Sequence, residues 1–383
     1  MADRAPSPGT TPGVLHRLHA LGQSIWLDTI SRPLLASGAL AHLVAAGLGG
    51  VTSNPSIFEK AIAGGGGDYP EIPGLLREGL DPEEVLERVA VADIRRAADL
   101  VRPAFDARDG SDGFVSLEVS PRLARDAQCT LEAARRIWAA VDRPNLMVKI
   151  PATREGIPAI AGAIAEGINV NVTLLFAIDR YLEAAGAYLD GLDMLAARGG
   201  DLSRVASVAS FFVSRVDTAV DPLLDGSRAG LRGQAAIANA RVAYGAWLDL
   251  AASPRWRDLV ARGARPQRLL WASTSVKNPA FPATYYVDAL IGPDTVDTVP
   301  APTLDAILRG TREPVRTIDA PGAIDGARET LAGIAAAGID LAAVTARLEV
   351  EGVAAFAASY DAILAAIKGR ALAEPVPVAL QAG

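Results

Sequence analysis

Eight times along this chain a short apolar run gives way to a longer segment in which apolar residues recur with the period of a helix. That rhythm is the strongest constraint on the fold, because parallel strands cannot be joined by a tight turn and need a crossover of helical length. The runs fall at 24–30 (SIWLDTI), 50–54 (GVTSN), 113–119 (GFVSLEV), 145–152 (NLMVKIPA), 168–176 (INVNVTLLF), 205–212 (VASVASFF), 268–274 (RLLWAST) and 295–300 (TVDTVP). No linker and no change of composition divides them. The expectation is a single α/β domain over 14–370, a closed (β/α)8 TIM barrel with additional C-terminal helices. The stretches 1–13 and 371–383 lack the rhythm and are expected to be disordered tails.

Two helix starts carry their own signal. Asp81 precedes Pro82, Glu83 and Glu84, which places a capping carboxylate, a proline at the first helical position and acids at the positive helix end. Ser120 followed by Pro121 repeats the pattern ahead of the segment ending near 141, and each such start is expected directly after a strand. The glycines in AGGGGDYP (63–70) do not have the strand-loop-helix spacing of a nucleotide-binding motif and read as a flexible loop.

Composition removes several function classes. A net charge of -7 repels polyanions, so nucleic acid is not an expected partner. The lone cysteine, Cys129, excludes an internal disulfide and a Cys-rich zinc site, and fits a reducing compartment. No signal peptide and no run long and uncharged enough to cross a bilayer is apparent, so the expectation is a cytoplasmic protein without a membrane partner. All the histidines, His16, His19 and His42, lie in the first stretch of chain, so imidazoles cannot converge from several elements, which weighs against a metal-dependent aldolase or hydrolase. Only Lys60, Lys149, Lys277 and Lys368 supply amines in a chain whose other cations are arginines.

In a parallel barrel the side chains at the carboxyl ends of the strands meet in one mouth. Taken strand by strand, those ends offer Asp28, Asn54, Glu118, Lys149, Asn171 with Thr173, Ser210, and Ser273 with Thr274. Lys149 is the sharpest, because Leu146, Met147, Val148 and Ile150 around it are apolar and strand alternation points it into the barrel. Burial disfavours an ammonium and favours a neutral amine able to attack a carbonyl, which a guanidinium cannot do. A structural lysine paired with a carboxylate is the alternative. Asp28 and Glu118, on other strands at matching depth, could move the protons that imine chemistry requires, or either could be that partner. Asn54, Asn171 and Thr173 could bind a hydroxyl-rich ligand or satisfy buried backbone.

Several long, ungapped motifs then resemble the bacterial transaldolases in their longer-chain form. They are WLDTISRPLL around Asp28, GVTSNPSIF around Asn54, VSLEVSP around Glu118, NLMVKIPAT around Lys149, INVNVTLLF around Asn171 and Thr173, SFFVSRVD around Arg215, and WASTSVKNPAF after the seventh run. The resemblance spans about 14–370. It implies that Lys149 is the Schiff-base lysine, that Asp28 is the acid and base at the carbon-carbon bond, and that Glu118 with Thr173 holds a proton-relaying water. It further implies that Asn54 and Asn171 bind donor hydroxyls, and that Ser210, Arg215 and Ser273 fix the phosphate beside Phe212. Many members carry an arginine shortly after the serine that corresponds to Ser273. This chain has Thr274 and Ser275, and the next cation, Lys277, inherits the role.

The implied activity is transfer of a dihydroxyacetone unit from fructose 6-phosphate or sedoheptulose 7-phosphate to glyceraldehyde 3-phosphate or erythrose 4-phosphate. That reaction belongs to the non-oxidative pentose phosphate pathway, and the resemblance implies that it needs no metal and no organic cofactor. The implied partners are small sugar phosphates, and the implied assembly is a monomer or homodimer. The rival readings are an aldolase that releases free dihydroxyacetone from fructose 6-phosphate, and a sugar-phosphate-binding barrel without turnover.

Overall fold

The computed structural model describes residues 12–64 and 67–370. The tails expected at the two termini lie largely outside the described residues, as does part of the glycine run. Eight parallel strands close into a barrel in chain order. They are β1 (Gln23–Leu27), β2 (Gly50–Val51), β3 (Phe114–Glu118), β4 (Leu146–Pro151), β5 (Val170–Leu175), β6 (Ser207–Phe212), β7 (Gln267–Ala272) and β8 (Thr295–Val299). Each lies within or beside the run expected from sequence. β8 pairs back onto β1 from Gln23–Thr295 to Leu27–Val299, so the sheet has no free edge.

β2 is shorter than its apolar run because Thr52–Asn54 leave the sheet to start a helix. Asn54 takes an extended conformation, and its side-chain oxygen accepts from the Ile57 amide at 3.0 Å, capping the helix Pro55–Ala63. Gly50 is required where β2 crosses β1, since a Cβ there would lie 2.6 Å from the Phe114 carbonyl and 2.7 Å from the Trp26 ring. Trp26 and Trp271 are wholly buried in the wall of the barrel. Burial of a side chain this large contributes roughly 2–3 kcal/mol.

Asp81 caps the helix Pro82–Ala107 as expected, in a reciprocal box with Glu84. This helix, however, follows two shorter helices rather than a strand. Ser120 is a second correction. It precedes only a single 3-10 turn, Pro121–Leu123, and makes no cap bond; the helix Ala127–Val141 is capped by Asp126, whose carboxylate accepts from the Cys129 amide at 2.9 Å. Ser120 lies six residues ahead of that capping position, out of reach of the helix's first amides, and is left in the loop that follows β3.

The chain ends in a helix, Leu341–Arg370, that lies against the strand β5, the helix Pro55–Ala63 and the helix Pro82–Ala107. The expectation that no segment is long and apolar enough to cross a bilayer is corrected here, since by length and composition this helix is. Its hydropathy comes from many alanines between scattered charges, a pattern that does not read as one greasy run. Val344, Leu348, Gly352, Phe356, Ile363 and Ile367 form the face it buries.

At the N-terminal end of the barrel Asp112 is fully enclosed. Its carboxylate accepts from Ser24 Oγ at 2.5 Å, Trp26 Nε1 at 2.9 Å, Arg108 at 2.9 Å and Arg268 at 3.2 Å. A Cβ at Gly49 would fall 1.9 Å from Ser24 Oγ and 2.5 Å from the carboxylate, so a glycine is what lets this cluster close.

Candidate active site

The register of the sheet sets the site. Glu118 on β3 pairs with Lys149 on β4, and Lys149 pairs with Asn171 on β5, so the three stand at one level of the barrel wall. Lys149 is 4% exposed. Its Nζ lies 3.3 Å from Glu118 Oε2, an ion-pair distance without hydrogen-bond alignment, and donates to the Ser53 carbonyl at 3.2 Å. The greasy neighbours read from sequence do surround its strand: Leu146, Met147, Val148 and Ile150 are all wholly buried.

Lys149 opens into a cavity of about 680 Å³ at the C-terminal end of the barrel, within the range of small-molecule sites. Of the residues expected at the site, Asp28, Asn54, Lys149, Thr173, Ser210, Phe212, Arg215, Ser273 and Lys277 line it. Glu118 and Asn171 stand behind that surface. Asn171 is wholly buried, with its amide nitrogen donating to Ser116 Oγ at 3.0 Å and its oxygen accepting from Ser210 Oγ at 2.7 Å. Its direct reach is therefore to Ser210, which does line the cavity.

Asp28 follows β1, where its amide continues the ladder to Val299 at 2.8 Å. Its carboxylate accepts from Thr52 Oγ1 at 2.7 Å. Burial pushes its pKa above the usual carboxylate range, opposed by the charge on Lys149, the Thr52 hydroxyl and the charge on Lys60. Glu118 is pushed up by burial too, and by the negative charge on Asp28, with the Lys149 charge opposing. A carboxylate whose affinity for a proton is raised by burial is a better base and can hand that proton back as an acid, the two capacities imine chemistry calls on. Among the described residues, Glu118 Oε1 and Thr173 Oγ1 are buried without a hydrogen-bond partner. Immediately after Thr173 the strand kinks: the β5–β6 register shifts between Val172 and Leu175, and Leu174 takes a left-handed φ of 60°. Strain of this kind at a non-glycine residue collects where a side chain is being aimed.

Cations line the same cavity. The Arg215 guanidinium sits 5.3 Å from the centre of the Phe212 ring, and burial lowers its pKa while Glu351 counters. Lys277 Nζ donates to Ser275 Oγ at 2.9 Å, and Ser273, at a φ of 57°, exchanges a hydrogen bond with Ser214 at 3.1 Å. Sequence reasoning missed Lys60, Ser275, Thr298 and Phe356, all of which line the cavity. Lys60 had a signal, being one of so few amines and six residues beyond Asn54. Phe356 had none beyond its place on a helical stripe.

The residues 25–367 match the family model described as Transaldolase/Fructose-6-phosphate aldolase. The chain is 49% identical over 357 residues to a protein of Acidothermus cellulolyticus named Transaldolase, covering 92% of this chain and 95% of that one. Against the Transaldolase of Thermobifida fusca it is 49% identical, over 91% of this chain and 96% of the other. Against that of Thiobacillus denitrificans it is 50% identical, over 91% and 97%.

Proposed function

The chain belongs to the transaldolase/fructose-6-phosphate aldolase family and is a transaldolase, and from that premise we propose that Lys149 is the amine that forms the Schiff base. The observation that carries the assignment is a primary amine 4% exposed, 3.3 Å from Glu118, opening into the cavity that Asp28 also lines. Lys149 adds to the C2 carbonyl of a ketose phosphate, and water leaves to give a protonated imine. The positive nitrogen then accepts the electron pair of the C3–C4 bond, while Asp28 takes the proton of the C4 hydroxyl. The aldose departs and a three-carbon enamine stays on Lys149 until an aldose phosphate arrives and the steps reverse.

Glu118 and Thr173 supply the proton path for making and breaking the imine, and their unpartnered oxygens, Oε1 and Oγ1, are the acceptors a relaying water would use. Ser210 and Asn54 face the hydroxyls of the three-carbon unit, with Asn171 holding Ser210 in place. Arg215, Lys277 and Ser273 receive the phosphate, the guanidinium offering a fork that matches phosphate oxygens. Fructose 6-phosphate and sedoheptulose 7-phosphate are the proposed donors, and erythrose 4-phosphate and glyceraldehyde 3-phosphate the acceptors.

The test is borohydride reduction in the presence of fructose 6-phosphate, followed by mass spectrometry of the peptides. A three-carbon adduct on Lys149 is expected. An unmodified Lys149 in folded, turning-over enzyme would remove the amine from the mechanism.

A further inference from the structure

Phe356 reaches the Lys149 amine from outside the barrel. The centre of its ring lies 5.7 Å from Nζ, its side chain is buried, and it lines the cavity. It is carried by the helix Leu341–Arg370, which is fixed in place by several independent contacts. Ser359 and Ser56 share a hydrogen bond of 2.9 Å, Arg122 pairs with Asp361 at 2.6 Å, and Arg370 donates to the Tyr69 carbonyl at 3.2 Å. One turn before Phe356 stands Gly352, where a Cβ would come within 3.0 Å of Leu174 and 3.8 Å of the Arg215 guanidinium. A glycine there lets the helix settle onto the mouth, and that close approach brings the phenyl ring down over the amine.

We propose that Phe356 is a specificity-determining residue: an apolar roof that keeps proton-carrying water from the enamine carbon on Lys149, and so commits the three-carbon unit to transfer. The inference rests on the Schiff-base reading above and adds the element that decides what becomes of the intermediate. The enamine carbon, two bonds from the nitrogen, has two fates. In transfer, its electron pair forms a bond to the aldehyde carbon of the acceptor, and the aldehyde oxygen takes a proton. In release, the same pair takes a proton from water, which leaves hydroxide; the resulting iminium adds water at C2, Lys149 leaves as the amine, and dihydroxyacetone departs. Hydrolysis of the imine is common to both routes, so the step that separates them is protonation of that carbon. A ring over one face of the amine excludes water from that face, while the relay at Glu118 and Thr173 serves the imine carbon, so the enamine carbon is left without a water to protonate it.

The experiment compares wild type, Phe356→Ala and Phe356→Leu with fructose 6-phosphate, in the presence and absence of erythrose 4-phosphate. It reads the ratio of free dihydroxyacetone to sedoheptulose 7-phosphate. Phe356→Ala should raise that ratio by about tenfold, and Phe356→Leu by less in the same direction, as water gains the space the ring filled. General damage to the site would lower both products together and leave the ratio alone. A ratio within about twofold of wild type in Phe356→Ala, or in Phe356→Leu should the alanine variant not fold, overturns the roof while borohydride still traps the Lys149 adduct. Absence of the adduct from the wild type would instead bring down the Schiff-base reading itself.

Discussion

At the N-terminal end of the barrel Asp112 engages both carboxylate oxygens with protein donors from Ser24, Trp26, Arg108 and Arg268. At the C-terminal end Glu118, also buried, faces Lys149 with one oxygen and leaves the other without a partner among the described residues. The asparagines divide the same way. Asn145 and Asn169, just before β4 and β5, bond backbone carbonyls of Ala98, Gly113, Pro144 and Leu146, tying strand starts together. Asn54 caps a helix with its oxygen and lines the cavity, and Asn171 bonds two hydroxyl side chains, one of which lines it. Gln23 Oε1, Asn145 Oδ1 and Gln267 Oε1 at the N-terminal end are also buried without a partner among the described residues, so unmatched atoms alone do not tell the ends apart. What sets the C-terminal end apart is that its unmatched oxygens, Glu118 Oε1 and Thr173 Oγ1, stand beside a buried amine that opens into a cavity.

Substitutions that should move one property and not the other put the contrast at risk. The largest effect is expected for Lys149→Met, with turnover down by about 10⁵-fold and no loss of melting temperature, since an apolar side chain of similar length fits the greasy strand. A marked fall in stability would mean that Lys149 also holds the barrel together. Asp28→Asn keeps the acceptor for Thr52 and removes the proposed base, so kcat should fall by about 10³-fold with the melting point unchanged. Retained activity in a steady-state assay would pass the proton role to another group.

Asp112→Asn should do the opposite. Arg108 and Arg268, both partly buried, would be left beside a neutral amide, at a cost of about 3 kcal/mol in urea unfolding, with kcat per folded molecule unchanged. A catalytic defect without loss of stability would erase the distinction between the two ends. The last effect is read across pH rather than at one condition and belongs to Asp297, wholly buried on β8 between them, which accepts from Thr274 at 2.7 Å and whose pKa burial raises to about 8 from 3.8. The folded state binds this proton more tightly than the unfolded chain does. Stability is therefore fullest below about pH 4 as far as this group is concerned, and declines toward pH 8 no faster than about 1.4 kcal/mol per pH unit. Asp297→Asn should flatten that slope, and an unchanged slope in urea titrations at stepped pH would assign it to other carboxylates.

The barrel was legible in the sequence because each strand is a greasy run bounded by helical segments, and the site because strand ends bring polar residues to one mouth. Lys149 stood out for the same reason it is buried, the absence of any polar neighbour along β4. The rest was hidden by contacts that alternation does not encode. Asp112 lies outside a strand, and its partners Arg108 and Arg268 look like ordinary surface cations until the barrel closes around them. Ser120 looked like a cap because Pro121 follows it, whereas the loop geometry gave the cap to Asp126. Phe356 lies 207 positions from the residue it covers, on a stripe indistinguishable from packing residues such as Leu348 and Ile363.

On the proposed mechanism, the pairing of Glu118 with Lys149 across neighbouring strands makes activity a gauge of alignment. Sliding β3 against β4 by a single residue would turn one of the two side chains outward, because successive residues of a strand face opposite ways. A misaligned barrel would therefore be silent in an assay rather than sluggish, and turnover counts the molecules whose strands have met in step.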